Sequence, residues 1–232
     1  MNVQVTPRLT KTQLAARVAA ELHDGWYVNV GIGMPTLVPN YLPPGREIII
    51  HSENGILGVG PEPAADQADP DLVNAGREFV SLRPGGSFFS HADSFAIVRG
   101  GHLDVAILGA YQVSERGDLA NWLLKGATVG NPGGAMDLAG GARRVFVMME
   151  HTTREGAHKI VRECDYALTG LACVTTIFTD VAVIDVTGAG LTLREVAPGW
   201  TPETVQTLTE PQLLVPQRPR TIEVLTVLER SR

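Results

Sequence analysis

The stretch EIIIHSENGILGVGP, residues 47–61, opens with a run that is apolar at three consecutive positions, Ile48 to Ile50, and continues into a turn rich in small residues. A strand with one wet face alternates apolar and polar side chains, whereas an unbroken apolar run belongs to a strand covered on both faces. The same signature recurs in VAILGA (105–110) and VFVMM (145–149). Helices are therefore expected on each side of a mostly parallel sheet, which makes the chain α/β, a three-layer αβα open sheet.

Further β-rich runs extend the sheet. The expected strands are Trp26 to Val30, Glu47 to Ile50, Asp104 to Leu108, Val145 to Met149, Val181 to Val186 and Leu191 to Val196. Ahead of them, residues 10 to 24 read as a helix. Thr10 and Gln13 have capping-box spacing, Leu14, Val18 and Leu22 repeat on one face, and Gly25 is the expected stop. Thr201-Pro202-Glu203 starts a second, short helix, with proline at the first helical position. Glycines gather where the strands end, as in Gly31-Ile32-Gly33 and Gly133-Gly134, and in open α/β sheets ligands sit at that edge.

A chain of 232 residues suits one large domain. Residues 1–210 are read as that domain and 211–232 as a C-terminal extension. In it, 211–219 form an extended connector and the last segment docks as a strand or short helix. The formal charge of −6, with no basic run, excludes a nucleic-acid partner. No apolar run approaches the roughly 20 residues of a membrane span, and the first residues lack a secretion signal, so the cytoplasm is expected. Cys164 and Cys173 fit neither a zinc knuckle nor a redox pair and are expected as small buried apolar groups.

Within the opening stretch, Glu53 stands where a buried strand gives way to Gly55, Gly58 and Gly60. A carboxylate there either accepts turn amides or acts as base, metal ligand or nucleophile. The six histidines include no HxH or HxxxH pair, so no metal is expected. No GxSxG elbow surrounds Ser52 or Ser94, and Cys164 has no evident partner. A covalent carboxylate is the sharper option, because attack on a thioester gives an activated anhydride. Gly31-Ile32-Gly33 followed by Pro35 reads as a strand-to-helix turn whose amides attract anions. Gly133 and Gly134 precede a short helix and offer amides to an oxyanion. His91 and Arg99, in HADSF and RGGHLD, are supporting candidates.

With those residues in hand, the chain resembles the B-type (beta) subunits of the 3-oxoacid CoA-transferases over about residues 8 to 208. The resemblance runs through GIGMPTLVPNYLP, SENGILGVGP, DPDLVNAG, DSFAIVRGGHLDVAILGAYQVSERGDLANW and GGAMDLAGGARRVFVMMEHTT. It implies a CoA-transferase fold, with Glu53 as the nucleophile and the backbone at Gly134 as an oxyanion donor. Gly31, Gly33, Asn54 and Gly133 become substrate and CoA contacts, and Ser52, His51, His91 and Arg99 stand behind them. It also implies CoA as a substrate with no separate cofactor, and a partner, the A-type subunit, in an A2B2 assembly that completes the site. His51 stands where many acetoacetate-type members carry glutamine, and other segments are nearest the 3-oxoadipate branch. 3-Oxoadipate is therefore favoured over acetoacetate as acceptor of CoA from succinyl-CoA, with His51, His91 or Arg99 as partners for its distal carboxylate. The rival readings are an acyl-CoA hydrolase and a metabolite-sensing domain of the same fold.

Overall fold

Thr10 caps the first helix as its spacing from Gln13 predicts. Its Oγ1 accepts from the Gln13 amide at 3.2 Å, and the Gln13 side chain accepts from the Thr10 amide at 2.9 Å. The helix, α1 (Lys11–Glu21), stops earlier than residue 24. Leu22 turns to an extended conformation so that its side chain is fully buried, and Gly25, at φ +77°, serves the following turn instead. These elements belong to a computed structural model that describes residues 6–224.

The centre of the molecule is a parallel set of strands: β1 (Tyr27–Val30), β2 (Ile49–Ser52), β5 (Val105–Leu108), β8 (Val145–Met149) and β10 (Val174–Thr179). Antiparallel strands extend it at both ends. β3 (Ile56–Val59) and β4 (Leu82–Phe88) lie beyond β2, and β11 (Ala182–Thr187) and β12 (Gly190–Val196) lie beyond β10. With β13 (Arg220–Thr221) the order is β13-β12-β11-β10-β8-β5-β1-β2-β3-β4. A second, three-stranded sheet joins β6 (Gln112–Ser114), β7 (Leu119–Ala120) and β9 (Ile160–Val161).

Two apolar layers sandwich the large sheet, as the unbroken apolar runs require. On one face α1 and the 3-10 helix Met34–Tyr41 bury Leu14, Val18 and Val38 against Ile50, Ile107 and Phe146. On the other, α2 (His91–Arg99), α3 (Ala135–Gly141) and α4 (Pro202–Gln206) bury Val98, Leu138 and Val205 against Ala106, Val147 and Ile177. Thr201 caps α4 with Pro202 at its start. Beyond it, Leu213 is buried and Leu214 exchanges backbone hydrogen bonds with Leu191 and Leu193, so residues 211–222 lie along the sheet. The end of the expected terminal element, residues 225–230, lies outside the described residues.

One strand expectation shifts by two residues. The run 47–50 moves C-terminally, because residues 47 and 48 approach the sheet as a loop while His51 and Ser52 continue the strand. The strands β10 and β4 carry no expectation at all. Cys164 and Cys173 are half-buried rather than fully buried, and burial pushes each thiol up to about 11. Among the described residues no helix is long and apolar enough to cross a membrane.

An ion-pair chain fixes α1 to β12. Arg17 donates to both oxygens of Glu195, at 2.7 and 2.9 Å, and also to Glu21, while Arg220 reaches Glu195 at 2.9 Å. Burial alone would raise the Glu195 carboxyl, but Arg17, with Arg194 and Arg220, holds it below the usual range. Glu195→Ala strands the buried Arg17 guanidinium, and urea unfolding at neutral pH is expected to show a loss of about 3 kcal/mol. A depressed carboxyl contributes its stability above the unfolded-state pKa and loses it as pH falls through the folded value. The gap between wild type and variant should therefore close on acidification.

Candidate active site

β1 pairs with β2 on one side and with β5 on the other, so the loops leaving the C-terminal ends of β1 and β5 part from each other. A crevice opens at such a reversal of strand order. Gly31, directly after β1, forms its floor. Its amide donates to Ile107 O at 2.8 Å, and a Cβ on it would come to 3.1 Å from that oxygen, so glycine lets the two strand ends close up.

The register of β1 on β2 sets Asn29 beside His51. Both side chains are wholly buried. Asn29 Nδ2 lies 3.0 Å from His51 Nδ1, 3.2 Å from His51 O and 3.4 Å from Glu53 Oε2. An amide nitrogen only donates, so His51 Nδ1 accepts and Nε2 carries the proton, donating to Ser94 Oγ on α2 at 3.0 Å. Burial lowers the imidazole pKa to about 4, which keeps it neutral. Phe89 stacks on the ring at 6.0 Å.

Glu53 is the first residue after β2, in a hairpin turn that Gly55 closes by donating to Ser52 O at 3.0 Å. Ser52 Oγ accepts from the Ala75 amide, and Asn54 Nδ2 donates to Val73 O, so the turn is pinned to the loop before β4. Burial raises the Glu53 carboxyl above its ordinary value, against the lowering effects of Asn29, its own backbone amide and the charge of His91.

Two clefts meet at this carboxylate. The first, of about 440 Å³, runs between the ends of β1, β5 and β8 and is walled by Met34, Leu108, Leu138 and Met149, with Lys159 as its cation. The second, of about 480 Å³, holds Asn54, His91 and Arg99. Glu53, Gly133 and Gly134 line both. A Cβ on Gly134 would stand 3.7 Å from Glu53 Oε1, and the Gly134 amide makes no hydrogen bond among the described residues. The residue with this unpaired amide thus stands beside the half-buried Glu53 side chain.

Of the residues singled out from the sequence, Gly31 joins the first cleft, while Asn54, His91 and Arg99 join the second. His51, Ser52 and Gly33 line neither; Gly33 caps the 3-10 helix, with Pro35 at its second position. His51 is wholly buried, with both ring nitrogens engaged by Asn29 and Ser94. Arg99 is already paired with Asp137 at 2.7 Å. Sequence reasoning missed Asn29, Ser94 and Lys159. A lone amide in the strand YVNV was a readable signal for Asn29; Lys159 had none. Burial lowers the Lys159 ammonium, against the charges of Glu150 and Asp180, and among the described residues it forms no salt bridge.

Comparison with known proteins bears on this arrangement. The sequence model of the family described as Coenzyme A transferase matches residues 11–207. The B subunit of the 3-oxoadipate CoA-transferase of Pseudomonas putida is 58% identical over 194 residues, covering 83% of this chain and 90% of that protein. The B subunit of the succinyl-CoA:3-ketoacid coenzyme A transferase of Helicobacter pylori is 46% identical over 199 residues, covering 86% and 96%. Among solved structures, an acyl-CoA transferase of Escherichia coli superposes with a TM-score of 0.72 at 17% identity. That match takes in 96% of this chain but 44% of the other, so this chain spans less than half of it. It speaks to the fold alone.

The turn carrying Glu53 depends on Gly55, which has φ +112° and whose added Cβ would collide with the Phe89 carbonyl oxygen. Gly33, at φ +93°, has open space instead. Gly55→Ala is expected to cost about 3 kcal/mol and Gly33→Ala about 1 kcal/mol, since only the first adds a backbone clash to the strain of positive φ. Denaturant titration of the two variants checks the order, and equal losses would contradict it.

Proposed function

The chain belongs to the coenzyme A transferase family, and on that premise we propose that it moves CoA from succinyl-CoA to a 3-oxoacid through a thioester on Glu53. The observation that carries this reading is the position of Glu53, a desolvated carboxylate at the meeting of two clefts beside the free Gly134 amide.

The chemistry runs in balanced halves. One Glu53 oxygen attacks the thioester carbonyl, a tetrahedral oxyanion forms, and CoA thiolate leaves an acyl-glutamyl anhydride. The thiolate then attacks the Glu53 carbonyl carbon, the donor acid departs as carboxylate, and CoA is held as the glutamyl thioester. The acceptor acid reverses both steps. Each oxyanion needs a fixed donor, and Gly134 is suited to supply one. Burial favours the attack because a poorly solvated carboxylate is the stronger nucleophile, provided that it is ionised. A raised carboxyl pKa places the acid limb of kcat/KM above the usual carboxylate range, with activity lost as pH falls through it.

The partner is an A-type subunit, in an A2B2 assembly that supplies the remaining donors. The rival hydrolase reading needs water to intercept the anhydride ahead of the thiolate, the stronger nucleophile. Incubating the A–B complex with succinyl-CoA and no acceptor should leave CoA on the peptide containing Glu53, as read by mass spectrometry. Glu53→Gln should abolish both label and transfer; label on another residue would sink the mechanism.

For the acceptor, 3-oxoadipate is favoured over acetoacetate. Its second carboxylate needs a cation, and Lys159 is the cleft's basic group without a salt bridge among the described residues. Lys159→Met should lower kcat/KM for 3-oxoadipate about 100-fold, the range for a lost partly buried charge pair. Acetoacetate turnover should change little, and parallel losses for both acids would remove Lys159 from acid selection.

A further inference from the structure

The amide of Asn29 is oversubscribed. Nδ2 has two hydrogens but three acceptors within reach: His51 Nδ1 at 3.0 Å, His51 O at 3.2 Å and Glu53 Oε2 at 3.4 Å. Its Oδ1 is buried without a partner. Turned over, Oδ1 would accept a hydrogen bond from His51 Nδ1 at 3.0 Å but would face two acceptors, the His51 carbonyl at 3.2 Å and the Glu53 carboxylate at 3.4 Å, so the balance favours Nδ2 on this side. The orientation is therefore set, and the nucleophile holds the longest of the three contacts.

We propose that His51 is a positioning residue that takes an Asn29 amide hydrogen in competition with Glu53, so that the nucleophile stays loosely hydrogen-bonded. Ser94 completes the device from α2. By accepting the Nε2 proton at 3.0 Å it keeps Nδ1 bare and facing Asn29. The register Asn29↔His51 holds donor and acceptor side by side on neighbouring strands, so the competition is built into the sheet rather than into a loop. The remaining neighbours of the carboxylate are the Gly134 backbone from α3 and the charge of His91 from α2.

The consequence for Glu53 has a definite sign. A carboxylate that gains a full hydrogen bond becomes less basic and a weaker nucleophile. Deleting the Nδ1 acceptor leaves two hydrogens for two acceptors, and the Glu53 bond tightens. Glutamine at position 51 preserves the competition, because its Oε1 accepts from Asn29 while its Nε2 donates to Ser94. The functional side of this inference rests on Glu53 being the nucleophile; the hydrogen-bond side does not.

The test uses full-length chain carrying glutamate labelled with 13C at Cδ. The Glu53 resonance is assigned by its loss in Glu53→Gln and titrated by NMR in wild type, His51→Leu and His51→Gln. The leucine variant should titrate about one unit lower, the size of a gained hydrogen bond to a carboxylate, and the glutamine variant within a few tenths of wild type. Should leucine fold poorly, His51→Met fills the same space and carries the same expectation. In the A–B complex the acid limb of kcat/KM should move down with the titration, and kcat should fall about 3- to 10-fold. A leucine variant titrating at or above wild type overturns the proposal, as does a glutamine variant that shifts as far as leucine. Absence of a CoA adduct on Glu53 with the titration shift intact would sink the transferase mechanism and leave the competition standing.

Discussion

Strand β1 is the constraint on which the rest of the structure depends. It is hydrogen-bonded to β2 on one side and to β5 on the other, so the chain passes to opposite sides of it in turn. Loops that leave one sheet edge in opposite directions cannot cover it, and the resulting crevice is the place where Gly31, Glu53 and the β5 loop meet. The same strand carries Asn29, whose register against His51 brings an amide within reach of the carboxylate. One strand thus creates the cleft and holds the group that touches its acid. The two apolar layers, fastened at α1 by the Arg17–Glu195 pair, keep that strand from shifting.

The site works against the fold that carries it. A carboxyl whose pKa is raised by burial binds protons more tightly folded than unfolded, so its ionisation lowers stability as pH rises above the unfolded value. Asn29 Oδ1 adds an unpaired buried acceptor. Both defects lie within a few ångströms of Glu53, while the central strands β5 and β8 are fully apolar. This is where a fold tolerates locally unfavourable chemistry in exchange for reactivity.

What could be read in advance follows from how each element is buried. The runs at 105–108 and 145–149 announced themselves because central parallel strands are covered on both faces. The strand β10 escaped because VTTIFT carries three threonines, each bonded to a sheet neighbour, Thr175 to Val145 O, Thr176 to Asp185 and Thr179 to Ala182 O. Polar atoms satisfied within a sheet read, in sequence, as a loop. β4 escaped for another reason: LRPGGSF holds a proline and two glycines, tolerable only on an edge strand. Within the site, Glu53 and the Gly133-Gly134 turn were legible from local pattern together with family resemblance. Lys159 was not, because it reaches the cleft from beside β9, and only the tertiary arrangement brings it there.

The exposed apolar side chains bear on how transfer is kept from becoming hydrolysis. On the proposed mechanism the acyl-glutamyl anhydride is open to water as well as to the thiolate, so a cleft that excludes water favours transfer. The walls mix apolar side chains with Asn121, Asn131, Glu150 and Lys159, and among the lining residues Ile32 is 65% exposed and Tyr111 is also uncovered. On the loop that leads to Gly133, Leu124 and Val129 stand in solvent, Val129 at 85%. Uncovered apolar groups on a cleft lining, here Ile32 and Tyr111, are suited to cover by another molecule. On the proposed mechanism, an A-type partner would both shield the intermediate from water and supply the donors its oxyanions still need.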